Sequence, residues 1–223
     1  MKKELLMIAM LFGAVFGFTA CGGDDDNGGS DSPVTYEDSR ITNVIPAQYL
    51  SELSKHITIY DGVTPPSIEG VYVMSPANLI YDSYNAQGID KFDDAYFDFY
   101  SQNTTNNTIS LRESGGSTGT GSGAFVSGKG NNFTVYLNMS GTNHGYTYKT
   151  ATLISGTKTS SGIKDMRYAF IMLENNDYEE KYIMKPGRYR IIGDGDGMSE
   201  TTTWPQSAKA FGNGFTIADF EAE

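Results

Sequence analysis

Between residues 68 and 192 the chain runs through eight short segments with strand-like patterning, separated by turn-forming residues, and this succession restricts the fold more than any other feature. The clearest segment is 133–139, where Phe133, Val135, Leu137 and Met139 alternate with Thr134, Tyr136 and Asn138. A period of two sends alternate side chains to opposite faces of a strand, so one face here is continuously apolar. The other segments are 68–76, 95–100, 108–112, 123–127, 146–155, 164–173 and 188–192. Polar or glycine-rich stretches such as 103–107 and 128–132 join consecutive segments at hairpin length. Eight short antiparallel strands in sequence predict an all-β chain with a single eight-stranded antiparallel meander barrel, since closure removes the two unpaired edges of an open sheet. One long connection, 77–94, follows a first strand ended by Pro76, and it keeps a two-sheet β-sandwich open as the alternative.

Composition points the same way. Among 223 residues there are 15 Tyr, 12 Phe and 26 Gly, the residues that strands and tight turns use. One short N-terminal helix is expected over 46–55, with Pro46 at its first turn and Tyr49, Leu50 and Leu53 on one face. The formal net charge of −11 gives no field that would draw the chain to nucleic acid or to anionic lipid.

The N-terminus carries a separate signal. Lys2 and Lys3 precede an apolar run over 5–18 that is too short for a stable membrane span and ends in Thr19, Ala20 and Cys21, the single cysteine of the chain. Residues 1–20 therefore read as a cleaved signal peptide. Residues 21–40, rich in Gly, Asp, Ser and Asn, have almost nothing apolar to bury and read as a disordered acidic linker. The β-barrel domain is expected over 41–223. Phe18-Thr19-Ala20-Cys21 resembles the lipobox of bacterial lipoproteins, with Phe18 where Leu, Ile or Val is usual. Acylation of Cys21 would fix the protein to a membrane through its acyl chains. The acidic Asp24, Asp25 and Asp26 are similar to the surface-export signal of Bacteroidetes lipoproteins, which implies an outer-membrane, lipid-anchored and cell-surface-exposed protein.

A second resemblance concerns the fold. A helix followed by Gly70-Val71-Tyr72 at the start of the first strand resembles the opening of lipocalin and calycin barrels, with Tyr72 where that family has a tryptophan plugging the closed end. The stretch 65–76, taken with Gly193-Asp194-Gly195-Asp196-Gly197, looks like uncharacterised lipoproteins of gut Bacteroidetes with lipocalin-like barrels. That resemblance implies no activity.

The candidates for chemistry are few. Gly115-Gly116-Ser117-Thr118-Gly119 matches the pattern of a hydrolase nucleophile elbow, but a strand rather than a helix follows it. Asp194 and Asp196, with Glu200, offer oxygens to a cation, although an Asp-Gly turn accounts for them without a metal, and neither metal nor cofactor is expected. Asp90, Asp93, Asp94 and Asp98 supply the acids a glycan hydrolase would need. His144 reads as a turn residue. The aromatic residues are the remaining lead. Tyr96, Tyr100, Tyr136, Tyr148, Tyr168 and Trp204 lie on or beside strands, and their flat faces and polar tips suit a small amphipathic ligand or a glycan. The expected function is therefore a non-catalytic surface binding module. A structural subunit of an outer-membrane complex and a glycan hydrolase remain as alternatives.

Overall fold

The computed structural model describes residues 39–84, 91–115, 118–179 and 182–205. The fold is all-β, with 58% strand and 7% helix. Two short helices, α1 (Ile41–Val44) and α2 (Ala47–Leu53), precede the strands β1 (Val63–Thr64), β2 (Gly70–Met74), β3 (Ala77–Asp82), β4 (Lys91–Phe92), β5 (Ala95–Asn103) and β6 (Thr108–Ser114). The chain continues through β7 (Thr118–Lys129), β8 (Asn132–Asn143), β9 (Tyr146–Lys158), β10 (Gly162–Asn175), β11 (Tyr189–Asp194) and β12 (Met198–Thr202).

The ladder runs β2-β5-β6-β7-β8-β9-β10-β12 with each neighbour antiparallel, and β12 returns to β2. This is the closed eight-stranded antiparallel barrel expected from the sequence. The remaining long-strand pieces extend members of the ring. β11 leads into β12 and pairs with β10 and β3, while β4 pairs with β3 just before the chain enters β5.

Two expectations are corrected here. The first strand ends before Pro76, at Met74, but a new strand, β3, begins at Ala77 on different neighbours, so the supposed long connection 77–94 contains two strands. The Pro76 carbonyl accepts from Gly195 N–H at 2.8 Å, and the missing proline N–H falls where the ladder is already interrupted. Closure also rules out the two-sheet sandwich, whose one argument was that connection. α1 is a one-turn helix not foreseen in the sequence, and α2 occupies most of the expected helix.

The alternation of β8 sorts the apolar residues into two cores. Phe133, Val135, Leu137 and Met139 point into the barrel, where they join Tyr72, Phe97, Phe99, Leu111, Ile163 and Ile192. The outward Tyr136 joins Leu153, Ile171 and Ile191 beneath Ile41, Ile45, Leu50 and Leu53, so the two helices cover part of the outer wall. Each strand in this sector is thus buried on both faces. Residues 57–69 then form a strap. Ser155 Oγ donates to the Thr58 carbonyl, Tyr60 N–H to Thr134 Oγ1 at 2.8 Å, and β1 pairs in parallel with the end of β7.

The strap delivers the chain to the closed end of the barrel. There Tyr72 is 1% exposed, and its hydroxyl donates to the Ile68 carbonyl at 3.1 Å. Gly70 has φ +139°, and a Cβ at that position would lie 3.3 Å from Tyr72 Oη. Glycine is required there by backbone conformation, and the ring lies close against it. Burial pushes the Tyr72 phenol up to about 12.

Candidate functional site

The opposite end of the barrel, where β8 turns into β9 and residues 176–188 connect β10 to β11, is built differently. Its interior mixes polar groups with aromatic rings. Arg190 shares the inward face of β11 with Ile192 and donates from Nε to Asp82 Oδ2 of β3 at 2.5 Å. Both side chains of this ion pair are buried. On β9, Thr150 Oγ1 lies 3.0 Å from Thr152 Oγ1, again fully inside. A buried polar group without a partner is costly, and these groups answer one another.

Glu113 is an inward charge with no ion pair among the described residues. It follows Ile109 and Leu111 on the inward face of β6, pairs across the ladder with Phe97 of β5 and Gly119 of β7, and is 9% exposed. Its carboxyl is hydrogen-bonded to the Tyr168 side chain. Burial pushes the carboxyl up to about 7, and the Tyr168 bond opposes that rise. Burial also raises the Tyr168 phenol well above its ordinary value, with Glu113 and Tyr148 adding to the shift. Tyr168 packs edge-on against Phe97 with ring centroids 5.3 Å apart. Gly119 makes room for this arrangement, since a Cβ there would come within 3.1 Å of Glu113 Oε1 and 2.8 Å of the Met139 methyl.

A segment of the β10–β11 connection caps this end. Asp177 Oδ2 accepts from Tyr182 N–H at 2.6 Å and from Ile183 N–H at 3.0 Å, and Asn175 Nδ2 donates to the Met184 carbonyl at 2.8 Å. These bonds turn Ile183 and Met184 inward, where they join the interior core. The Tyr182 ring stacks on His144 and on Tyr146, with centroids 4.7 and 5.7 Å away. Beneath the cap lies a cavity of about 40 Å³, walled by Tyr148, Thr150, Tyr168, Phe170 and Met172. That is room for about one water.

Comparison of the chain with protein-family models, curated proteins and solved structures gives no match.

The six aromatic candidates separate into three groups. Tyr148 and Tyr168 both line the cavity. Tyr136 points the other way: it belongs to the outer core beneath the helices, stacked on Phe125 at 5.0 Å, and does not meet the interior. The strand period dictates this, because Tyr136 has the opposite parity to Val135 and Leu137. Tyr96, Tyr100 and Trp204 lie outside the barrel. Tyr96 borders an open groove with Phe92, Asp93 and Asp94, Tyr100 is 42% exposed, and the Arg112 guanidinium sits 4.2 Å from the Trp204 ring centroid. Arg112 also donates to Asp98 at 2.7 Å, which takes that acid out of the proposed acidic cluster.

The late acidic loop is a turn in this structure. Asp194 Oδ2 accepts from Ser199 Oγ at 2.8 Å and from Ser75 N–H at 3.3 Å, and Asp196 Oδ1 accepts from Met198 N–H at 2.9 Å. Burial raises the Asp194 carboxyl, whereas the Met198 bond lowers that of Asp196. Among the described residues no cluster of three potential ligands could hold a metal. Ser117, Asp90, Cys21 and Asp24 to Asp26 lie outside the described residues. Also among the described residues, no helix is long and apolar enough to cross a membrane.

Glu113, Thr150, Thr152, Asn143 and the cap residues were missed in the sequence. Glu113 was within reach, since it is two residues beyond Leu111 on the same strand face. The cap was not, because no periodicity marks residues 176–188.

Proposed function

We propose that this chain is a non-catalytic, lipid-anchored cell-surface protein, held to the outer membrane by acyl chains on Cys21, whose lipocalin-like barrel binds a small amphipathic ligand beneath the cap. The observation that carries the reading is the cavity between Tyr148, Tyr168 and the inward Ile183 and Met184. Its wall is apolar at Phe170 and Met172 and polar at Asn143 and Thr150, the mixture that orients an amphipathic molecule. A ligand larger than water enters by displacing Ile183 and Met184. Ile183 N–H donates to Asp177 and the Met184 carbonyl accepts from Asn175, bonds to side chains rather than strand pairing, so moving these residues leaves the barrel ladder intact. Methionines at 172 and 184 adapt their shape to what replaces the cap. The plugged closed end, with Tyr72 against Gly70, supports the lipocalin-like relationship.

A second reading, a filled barrel serving as an interaction subunit of an outer-membrane complex, is favoured by the small size of the cavity, about 40 Å³. Titration of the purified full chain with the neutral fluorescent probe N-phenyl-1-naphthylamine separates the two. Ligand binding beneath the cap predicts saturable enhancement that Thr150→Phe abolishes while the melting transition persists. No saturable enhancement, or enhancement indifferent to Thr150→Phe, favours the filled barrel. Anchoring is tested separately: Cys21→Ala should release the folded protein from the membrane fraction.

A further inference from the structure

Resting on the reading of a ligand beneath the cap, we infer that the polar end of that ligand is a protonated amine, received by Glu113 among the rings of Tyr168, Tyr148 and Phe97. Among the described residues no ion pair involves Glu113. Arg190 is paired with Asp82, whereas Glu113 has Phe97 from β5, Gly119 from β7, Met139 from β8 and Tyr168 from β10 around it, with Tyr148 of β9 acting on Tyr168. None of these is a cation. The two tyrosines are the only titratable groups among them, and both are weak acids that discourage a second negative charge. A carboxylate, sulfate or phosphate ligand would therefore bring like charge against like in a poorly solvated space. An ammonium would instead supply the missing counter-charge.

The surroundings fit an ammonium in a second way. Aromatic faces attract a cation through their quadrupole, most strongly when the site is dry. Tyr168 links the two parts of the site: its ring lines the cavity, and its hydroxyl is hydrogen-bonded to Glu113. A ligand with an apolar body under Ile183 and Met184 and an ammonium at the Tyr168 end would set an opposite charge beside Glu113. Without ligand, Glu113 keeps its proton up to near neutrality because burial disfavours the carboxylate. Amine binding requires that proton to leave, so affinity rises with pH up to the free-state titration of Glu113.

The test compares 1-naphthylmethylamine with 1-naphthalenemethanol, which has the same ring system and a neutral end, by calorimetric titration of the full chain. At about pH 8 the amine should bind about tenfold or more tightly than the alcohol, a charge-assisted contact of ordinary strength. Glu113→Gln should bring the two probes level by weakening the amine alone. If that variant fails to fold, the native protein still decides the matter: the amine preference should fall as pH drops from about 8 to about 5.5, while the alcohol's affinity stays constant. Equal binding of both probes, or an amine preference that survives at the lower pH, overturns the inference and leaves the ligand reading in place. Binding of neither probe overturns both.

Discussion

Glu113 and Tyr168 meet inside the barrel from β6 and β10, a carboxyl and a phenol joined by a hydrogen bond where, among the described residues, no cation is paired with either. The pair has a consequence for stability. Glu113 is raised from 4.5 to about 7 in the folded protein, so the folded form holds this proton over a pH range in which the unfolded chain has lost it. Stability from this group is present below about pH 4.5 and declines as pH rises towards 7, by roughly 3 kcal/mol in all. Glu113→Gln removes the titration. Relative to the native protein, the variant should gain stability steadily between about pH 4 and pH 8 in urea denaturation. A difference independent of pH would contradict the burial of an ionisable Glu113.

At the other end of the barrel, Tyr72 fills the space between the strap and the first strand. Truncating a buried aromatic leaves a cavity, so Tyr72→Ala should cost about 3–5 kcal/mol in chemical denaturation. A loss under about 1 kcal/mol, the size of a surface substitution, would mean that the ring does not plug the closed end.

The buried Arg190–Asp82 pair gives a third expectation. Removing one partner leaves an uncompensated charge inside the protein, so Arg190→Met should cost about 3–5 kcal/mol. The double variant Arg190→Met/Asp82→Leu should cost less than the single one. Denaturation of both against the native protein measures this, and a double variant as unstable as the sum of its singles would show that the two residues do not act as a pair.

The sequence carried the barrel because strand-like segments follow one another at hairpin spacing, with clean alternation at residues such as Val135 and Leu137, although the last segment foreseen, 188–192, falls on β11 and the strand that closes the ring, β12, was not among them. The same alternation also held the fate of Tyr136, which its parity sends to the outer wall. Pro76 does end the first strand, and the stretch after it misled because β3 and the two-residue β4 within 77–94 carry no clean alternation. The polar interior was only partly legible: the place of Glu113 on its strand face could be counted, but its companions Tyr148 and Tyr168 come from β9 and β10, and only closure brings them to it. Ile183 and Met184 lie in a segment without period or motif, and their inward turn depends on a hydrogen bond to Asp177 and one from Asn175 that spacing does not announce.

The central claim is that a ligand enters beneath the cap, and methyl NMR of the full chain labelled at Ile and Met follows it most directly. On titration with 1-naphthylmethylamine, the methyl signals of Met172, Ile183 and Met184 should shift together and saturate, while Ile68 at the closed end and Ile41 under the helices stay in place. Shifts confined to the outer wall, or no saturable shift at Met172, Ile183 and Met184, would contradict it.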